Sequence, residues 1–252
     1  MYMEIEILYA TTFLLVILQT IVGVGVLVLG TPLLLLLNYN IIEIMNILLP
    51  ISITTSLLNY IYLKSNKEKL KINLDKGIKK NFILIFLPGI FLGLFLTSKL
   101  ILYINFEILV SVIILTSLLI KLKFEKKINN LRLTYKKIIL ALVSIIHGLT
   151  NSGGTLLTIF FSVINNNKKN QSRYSITFYY LILASVQYFI FLMIFKINIS
   201  NLYSYKIFLI ILFSILIGSI IVKYISQNFF KKIIEFLALI SALFLLSNNL
   251  NF

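Results

Sequence analysis

The sequence predicts an all-α polytopic membrane protein of two homologous halves in inverted orientation, each holding one broken or re-entrant helix plus three transmembrane helices. Three observations carry this expectation. Of the 252 residues, 60% are hydrophobic, well above the roughly 45–50% usual in soluble domains, and several apolar runs reach the ~20 residues that cross a hydrocarbon core. Two other runs are interrupted by glycines and polar residues in a corresponding way. The 23 lysines and arginines, against 8 acidic residues, gather in a few short loops.

The first element is the run over residues 7–37. Its central stretch QTIVGVGVLVLGTPLLLLLNYN places Gly23, Gly25, Gly30 and Pro32 where a membrane helix would otherwise continue. As one helix, 7–37 would be about 46 Å long at about 1.5 Å per residue, too long for a core of about 30 Å. Two arms that turn at the glycines fit better. The run is not read as a cleavable signal peptide: Glu4 and Glu6 stand where such a signal carries positive charge, and no small-residue cleavage site follows. Apolar spans follow at about 44–63, 81–98 and 101–120. A second interrupted run covers 138–164, broken by HGLTNSGGT from His147 to Thr155, and spans at about 175–195, 206–222 and 233–247 complete the chain.

The interrupted runs correspond residue by residue. A shift of 128 sets Gln19 on His147, Gly25 on Gly153, Asn59 on Gln187 and Tyr60 on Tyr188, and a shift of 125 sets Gly93 on Gly218. Breaks and polar positions agree together, which divides the chain into repeats at 1–125 and 126–252.

Charge tests the path. If every run crossed once, 16 cations would lie on one side and 7 on the other. If both interrupted runs enter, turn and leave on the same side, the division becomes 20 against 3. The positive-inside rule favours the second path. Each half then contributes three crossings, the halves are inverted, and both termini lie outside the cytoplasm.

A re-entrant turn leaves the first N–H groups of the returning helix without partners, pointing into the membrane interior. With the helix dipole they form a site for an anion that needs no charged side chain. The substrate-binding residues expected on this basis are Gln19, Thr20, Gly23 and Gly25 in the first half, and Asn151, Ser152, Gly153, Gly154 and Thr155 in the second. Asn59 and Gln187 add amides from the following spans. His147 can carry a coupling proton, since imidazole titrates near neutral pH, or serve as a neutral hydrogen-bonding residue. Other ionisable residues, Glu43, Lys99 and Glu107, read as boundary residues, and Ser65 to Lys80 as a solvated basic loop.

Composition also excludes. With no cysteine and one histidine, neither disulfides nor a metal-ligand set nor a nucleophile–base pair is available, so no enzymatic activity and no cofactor is expected. The excess of cations belongs to cytoplasmic loops rather than to nucleic-acid binding.

The glycine-centred break early in each half, the polar residue in the following span and the glycine of the third span resemble the TauE/SafE sulfite exporter family of membrane permeases. GLTNSGGTLLTIFF (Gly148 to Phe161) is similar to the family's G-x-x-G-x-G-G pattern, and Ile215 to Leu246 to its closing helical pair. Val26 and Asn151 stand where the family usually has glycine. The resemblance implies a permease for sulfur-containing anions such as sulfite or organosulfonates, proton-coupled in some members, in the inner (plasma) membrane. A passive anion channel and a non-transporting membrane subunit remain the alternatives.

Overall fold

Apolar sequence in lipid must satisfy its backbone hydrogen bonds internally, and the chain does so with helices. The computed structural model describes residues 2–66, 72–74, 76–129, 133–165, 168–197 and 205–250. Among these there are ten helices and no strand: α1 (Tyr2–Val22), α2 (Val26–Leu36), α3 (Ile41–Ser65), α4 (Lys76–Leu100), α5 (Phe106–Asn129), α6 (Leu133–Thr150), α7 (Gly154–Ile164), α8 (Lys169–Phe195), α9 (Tyr205–Tyr224) and α10 (Gln227–Leu250). Asp75 and much of the basic loop around it lie outside the described residues.

Four segments are long and apolar enough to cross a membrane: Ile41–Ser65, Phe82–Leu100, Lys169–Phe195 and Tyr205–Tyr224. Of the six crossings expected, the remaining two correspond to α5 and α10, 24 residues each. The span expected from 101 starts later, at Phe106, because residues 101–105 form a turn closed by Asn105, whose side chain accepts from the Glu107 and Ile108 N–H groups. The cationic segment 165–173, expected as a loop, is largely helical because α8 begins at Lys169. The repeat boundary expected at 125 falls inside α5, which continues to Asn129.

Both interrupted runs are broken. α1 ends at Val22 and α2 starts at Val26, and α2 returns alongside α1: Leu14, Leu15 and Leu18 of α1 and Leu29, Pro32 and Leu33 of α2 line one apolar cavity. α2 and α7 have 11 residues each, about 16 Å, or half of a core of about 30 Å. Asn40 starts α3 with a capping box: its side chain accepts from the Glu43 N–H while Glu43 accepts from the Asn40 N–H. Glu43 thus has a structural task at a helix start.

Large apolar side chains face outward, among them Leu84, Leu87, Phe91 and Phe95 on α4 and Leu209, Phe213, Leu216 and Ile220 on α9. Polar ones lie inside, including Gln19, Ser52, Ser56, Asn59, His147, Asn151 and Gln187. The core around them is apolar as in a soluble domain; what differs is the outer face, which presents an apolar belt to lipid.

The helix pairings follow a pattern. α4 packs on α6 as α9 packs on α1; α2 on α3 as α7 on α8; α10 on α2 as α5 on α7; and α3 meets α8, as α5 meets α10. Exchanging each helix with the one five places along maps this set onto itself. Single residues obey the same exchange: Gly93 lies against Ile145 and Gly148, and Gly218 against Ile17 and Thr20. Positions 145 and 148 are 17 and 20 displaced by the same 128 residues that align the two breaks. Gly89 and Gly93, four apart on α4, let its backbone approach Ala141, Ser144 and Gly148 of α6 closely, the small-residue mode of membrane helix packing.

Candidate functional site

At the first break the helix ends with Gly23 at φ 93°, in the left-handed region that favours glycine. The residue displaced by 128 is Asn151, at φ 60°. Asparagine is the side chain that best tolerates this conformation, so Asn151 answers the same backbone requirement with a different residue. Gly153 needs no such freedom, at φ −59°. Its lack of a side chain serves approach: a Cβ there would lie 2.6 Å from the His147 Cβ and 2.8 Å from its Cα. Gly25 stands likewise against Gln19, 2.8 Å from its N.

The two tips are then finished differently. In the first half Gln19 Oε1 accepts from the Val26 N–H at 3.0 Å, while its Nε2 donates to the Ser52 carbonyl at 3.1 Å and the Ser56 Oγ at 2.9 Å. The Gln19 amide is therefore fully engaged, and it caps α2. In the second half the matching residue, His147, is 0% exposed and neither ring nitrogen has a hydrogen-bond partner. Thr155 Oγ1 donates to the Ser152 carbonyl at 2.9 Å, and Ser152 and Thr150 share a hydroxyl pair at 2.7 Å.

The structure brings the tips of α2 and α7 together. Asn151 Nδ2 donates to Thr31 Oγ1 of α2 at 3.0 Å, and a Cβ on Gly154 would come within 2.8 Å of both Val28 and the Tyr180 ring. The Tyr180 hydroxyl approaches Ser52 and the Leu27 N–H without closing a hydrogen bond to either. Its ring lies 5.9 Å from that of His147. Tyr180 thus stands between the first turns of both short helices.

The amides of the following spans flank this arrangement. Gln187 Nε2 donates to the His147 carbonyl at 3.3 Å, and Asn59 Nδ2 to Thr20 Oγ1 at 3.1 Å. The amide oxygens of Asn59, Asn151 and Gln187 are buried without a partner. His147, Asn151, Ser152, Gly153, Gly154, Thr155 and Gln187 thus gather around the second tip, with Tyr180 beside them. Gln19 and Gly25 shape the first tip, while Thr20, Gly23 and Asn59 lie at the end of α1. Tyr60 stacks on Tyr174 at 5.8 Å, away from the tips.

Sequence reasoning missed Tyr180, Thr31, Ser52 and Arg173. The 128-residue shift offered a signal for Tyr180, since it matches Ser52, the residue that holds Gln19. Among the described residues no cluster of three or more potential metal ligands occurs.

An outward apolar belt, polar groups buried within an apolar core and two broken hairpins meeting at their tips define a polytopic membrane protein. The family model described as "Sulfite exporter TauE/SafE" matches residues 8–245, nearly the whole chain. The chain belongs to this family, one of membrane transporters for sulfur compounds. Comparison with curated proteins and with solved structures finds no match.

Proposed function

We propose that the protein is a secondary permease for a small anion, a sulfur oxyanion or organosulfonate of the sulfite type, working by alternating access between two inverted halves in the inner (plasma) membrane. α1 to α5 make one half and α6 to α10 the other. Family membership supports the substrate class, and the helix exchange that relates the largest pairings supports the repeat. Parallel and inverted repeats differ in the side on which their loops emerge, and the 20-to-3 division of cations favours the inverted one.

The observation that carries the site is the open second tip. His147, Gln187 and Asn151 are sealed from solvent and keep unused hydrogen-bonding atoms, a costly condition in a dry interior. A ligand that both accepts and donates hydrogen bonds relieves it. The α7 dipole favours negative charge at that end. In this reading Gly153 and Gly154 present their backbone N–H groups, Ser152 and Thr155 add hydroxyls once the ligand draws them from Thr150 and the Ser152 carbonyl, and His147 is the group able to take up a coupling proton. The first tip, capped by Gln19, supports the second rather than binding on its own.

The test is flux. Full-length protein in liposomes should take up sulfite saturably, with short sulfonates competing and chloride not. A folded protein that moves neither sulfite, thiosulfate nor sulfonates, and whose unfolding temperature none of them raises, would overturn the reading.

A further inference from the structure

The strongest unexplained feature outside the tips is Arg173. It is 3% exposed near the start of α8. Its Nε and Nη2 both donate to one acceptor, the Thr20 carbonyl, at 3.1 and 2.6 Å. That carbonyl belongs to the last turn of α1, where a helix runs out of N–H partners. Gln19, one residue earlier, gives its own carbonyl to the Gly23 N–H at 2.7 Å. The guanidinium therefore closes the end of α1 at the hinge. α8 also packs onto the hinge directly: a Cβ on Gly23 would meet the Arg173 carbonyl at 3.2 Å and Ile176 at 3.1 Å.

A buried guanidinium in a membrane protein is expensive unless opposite charge or backbone carbonyls face it, and here a single carbonyl among the described residues does so. Among the described residues no carboxylate pairs with Arg173, whose further charged or ionisable neighbours are Tyr62 and Lys169. Lys169, four residues earlier, donates to the Val222 and Ile225 carbonyls at 3.0 and 2.6 Å. Lys168 is exposed, Lys169 half-buried and Arg173 buried, so positive charge leads from the surface to the hinge. Ser172, beside Arg173, is buried with its hydroxyl unpartnered.

We infer that Arg173 is an anion-responsive latch on the cytoplasmic side: it holds the Thr20 carbonyl while no anion is near, and an oxyanion arriving past Lys168 and Lys169 takes the guanidinium instead. The geometry suits the exchange, because the two N–H groups that now converge on one carbonyl can engage two oxygens of a sulfite-like anion side by side. Releasing Thr20 frees the last turn of α1 at Gly23, the backbone joint between the two arms of the first hairpin. The anion thereby loosens the tip of the first hairpin. This rests on the proposed anion transport but not on the assignment of the α7 tip.

The experiment is amide hydrogen exchange of the full-length protein in nanodiscs, with sulfite as the probe and chloride as the control. Sulfite should speed exchange of the Val22 to Val26 amides at least about tenfold in the wild type, the scale of losing charge-assisted hydrogen bonds at a helix end. Arg173→Gln should show the faster exchange already without sulfite and no further response. Arg173→Lys, with charge but no fork, should respond at higher sulfite only. Wild-type exchange at Val22 to Val26 that sulfite leaves unchanged, while sulfite still raises the unfolding temperature, would overturn the latch and leave the transport reading intact. No effect of sulfite on either exchange or unfolding would overturn both. The wild-type comparison alone decides if the glutamine variant does not fold.

Discussion

Replacing His147 by glutamine should convert the open second tip into a copy of the capped first one. The short hydrogen bonds of Gln19 run to the Val26 N–H, the Ser52 carbonyl and the Ser56 hydroxyl. Adding 128 to each partner gives Gly154, Tyr180 and Ala184. A glutamine at 147 thus finds the Gly154 N–H and the Tyr180 carbonyl, while alanine offers no hydroxyl. Two new bonds at about 0.5–1.5 kcal/mol each give a gain of about 1–3 kcal/mol, and the removal of two unpartnered ring nitrogens adds to it. The variant should therefore unfold at a higher temperature than the wild type in the absence of ligand. Its response to ligand should move the opposite way. A site that binds sulfite contributes RT ln(1 + [L]/Kd), about 2.7 kcal/mol at a hundredfold excess over Kd, and the capped tip should lose this increment along with flux. Thermal unfolding with and without sulfite, paired with liposome uptake, reads both effects. A His147→Gln protein that keeps the wild-type sulfite response and transport rate would refute the argument that the unpartnered second tip is the binding end.

Tyr180→Phe should leave stability nearly unchanged, since the hydroxyl closes no hydrogen bond, but weaken sulfite binding by about tenfold or more, the value of one hydrogen bond to a charged ligand; an unaltered sulfite titration would remove Tyr180 from the site. Gly93→Ala should destabilise more than Gly218→Ala: the added Cβ meets the α6 backbone, including Leu149 N at 2.7 Å, in the first case, and the Thr20 side chain at 2.8 Å in the second. Overpacking of this kind costs about 1–3 kcal/mol, so thermal unfolding should rank the pair, and the reverse order would contradict the packing. Orientation is open to labelling because the chain has no cysteine. Lys99→Cys should react with a membrane-impermeant thiol reagent in intact cells and Lys168→Cys only after permeabilisation; the opposite pattern would invert the assigned topology.

The correspondence of Gly25 with Gly153 and of Gln19 with His147 could be read from the chain because both pairs share one spacing of 128 residues, and glycine in an apolar run is a local signal. Local signals did not extend to Arg173. Its position in a cationic stretch suggests a solvated loop, and its partner, the Thr20 carbonyl, is a backbone atom 153 residues away that leaves no mark on side-chain pattern.

Composition and periodicity alone determined that this chain lives in lipid as helices, that two of its helical runs are broken, and where, because the cost of burying backbone polar groups and the weakness of glycine in helices act on neighbouring residues. Tertiary structure decided which tip is closed. One break receives a glutamine that reaches across to Ser52 and Ser56, and the other a histidine beside the Tyr180 ring. Whether a buried polar atom is satisfied depends on which distant groups the fold carries to within about 3 Å of it.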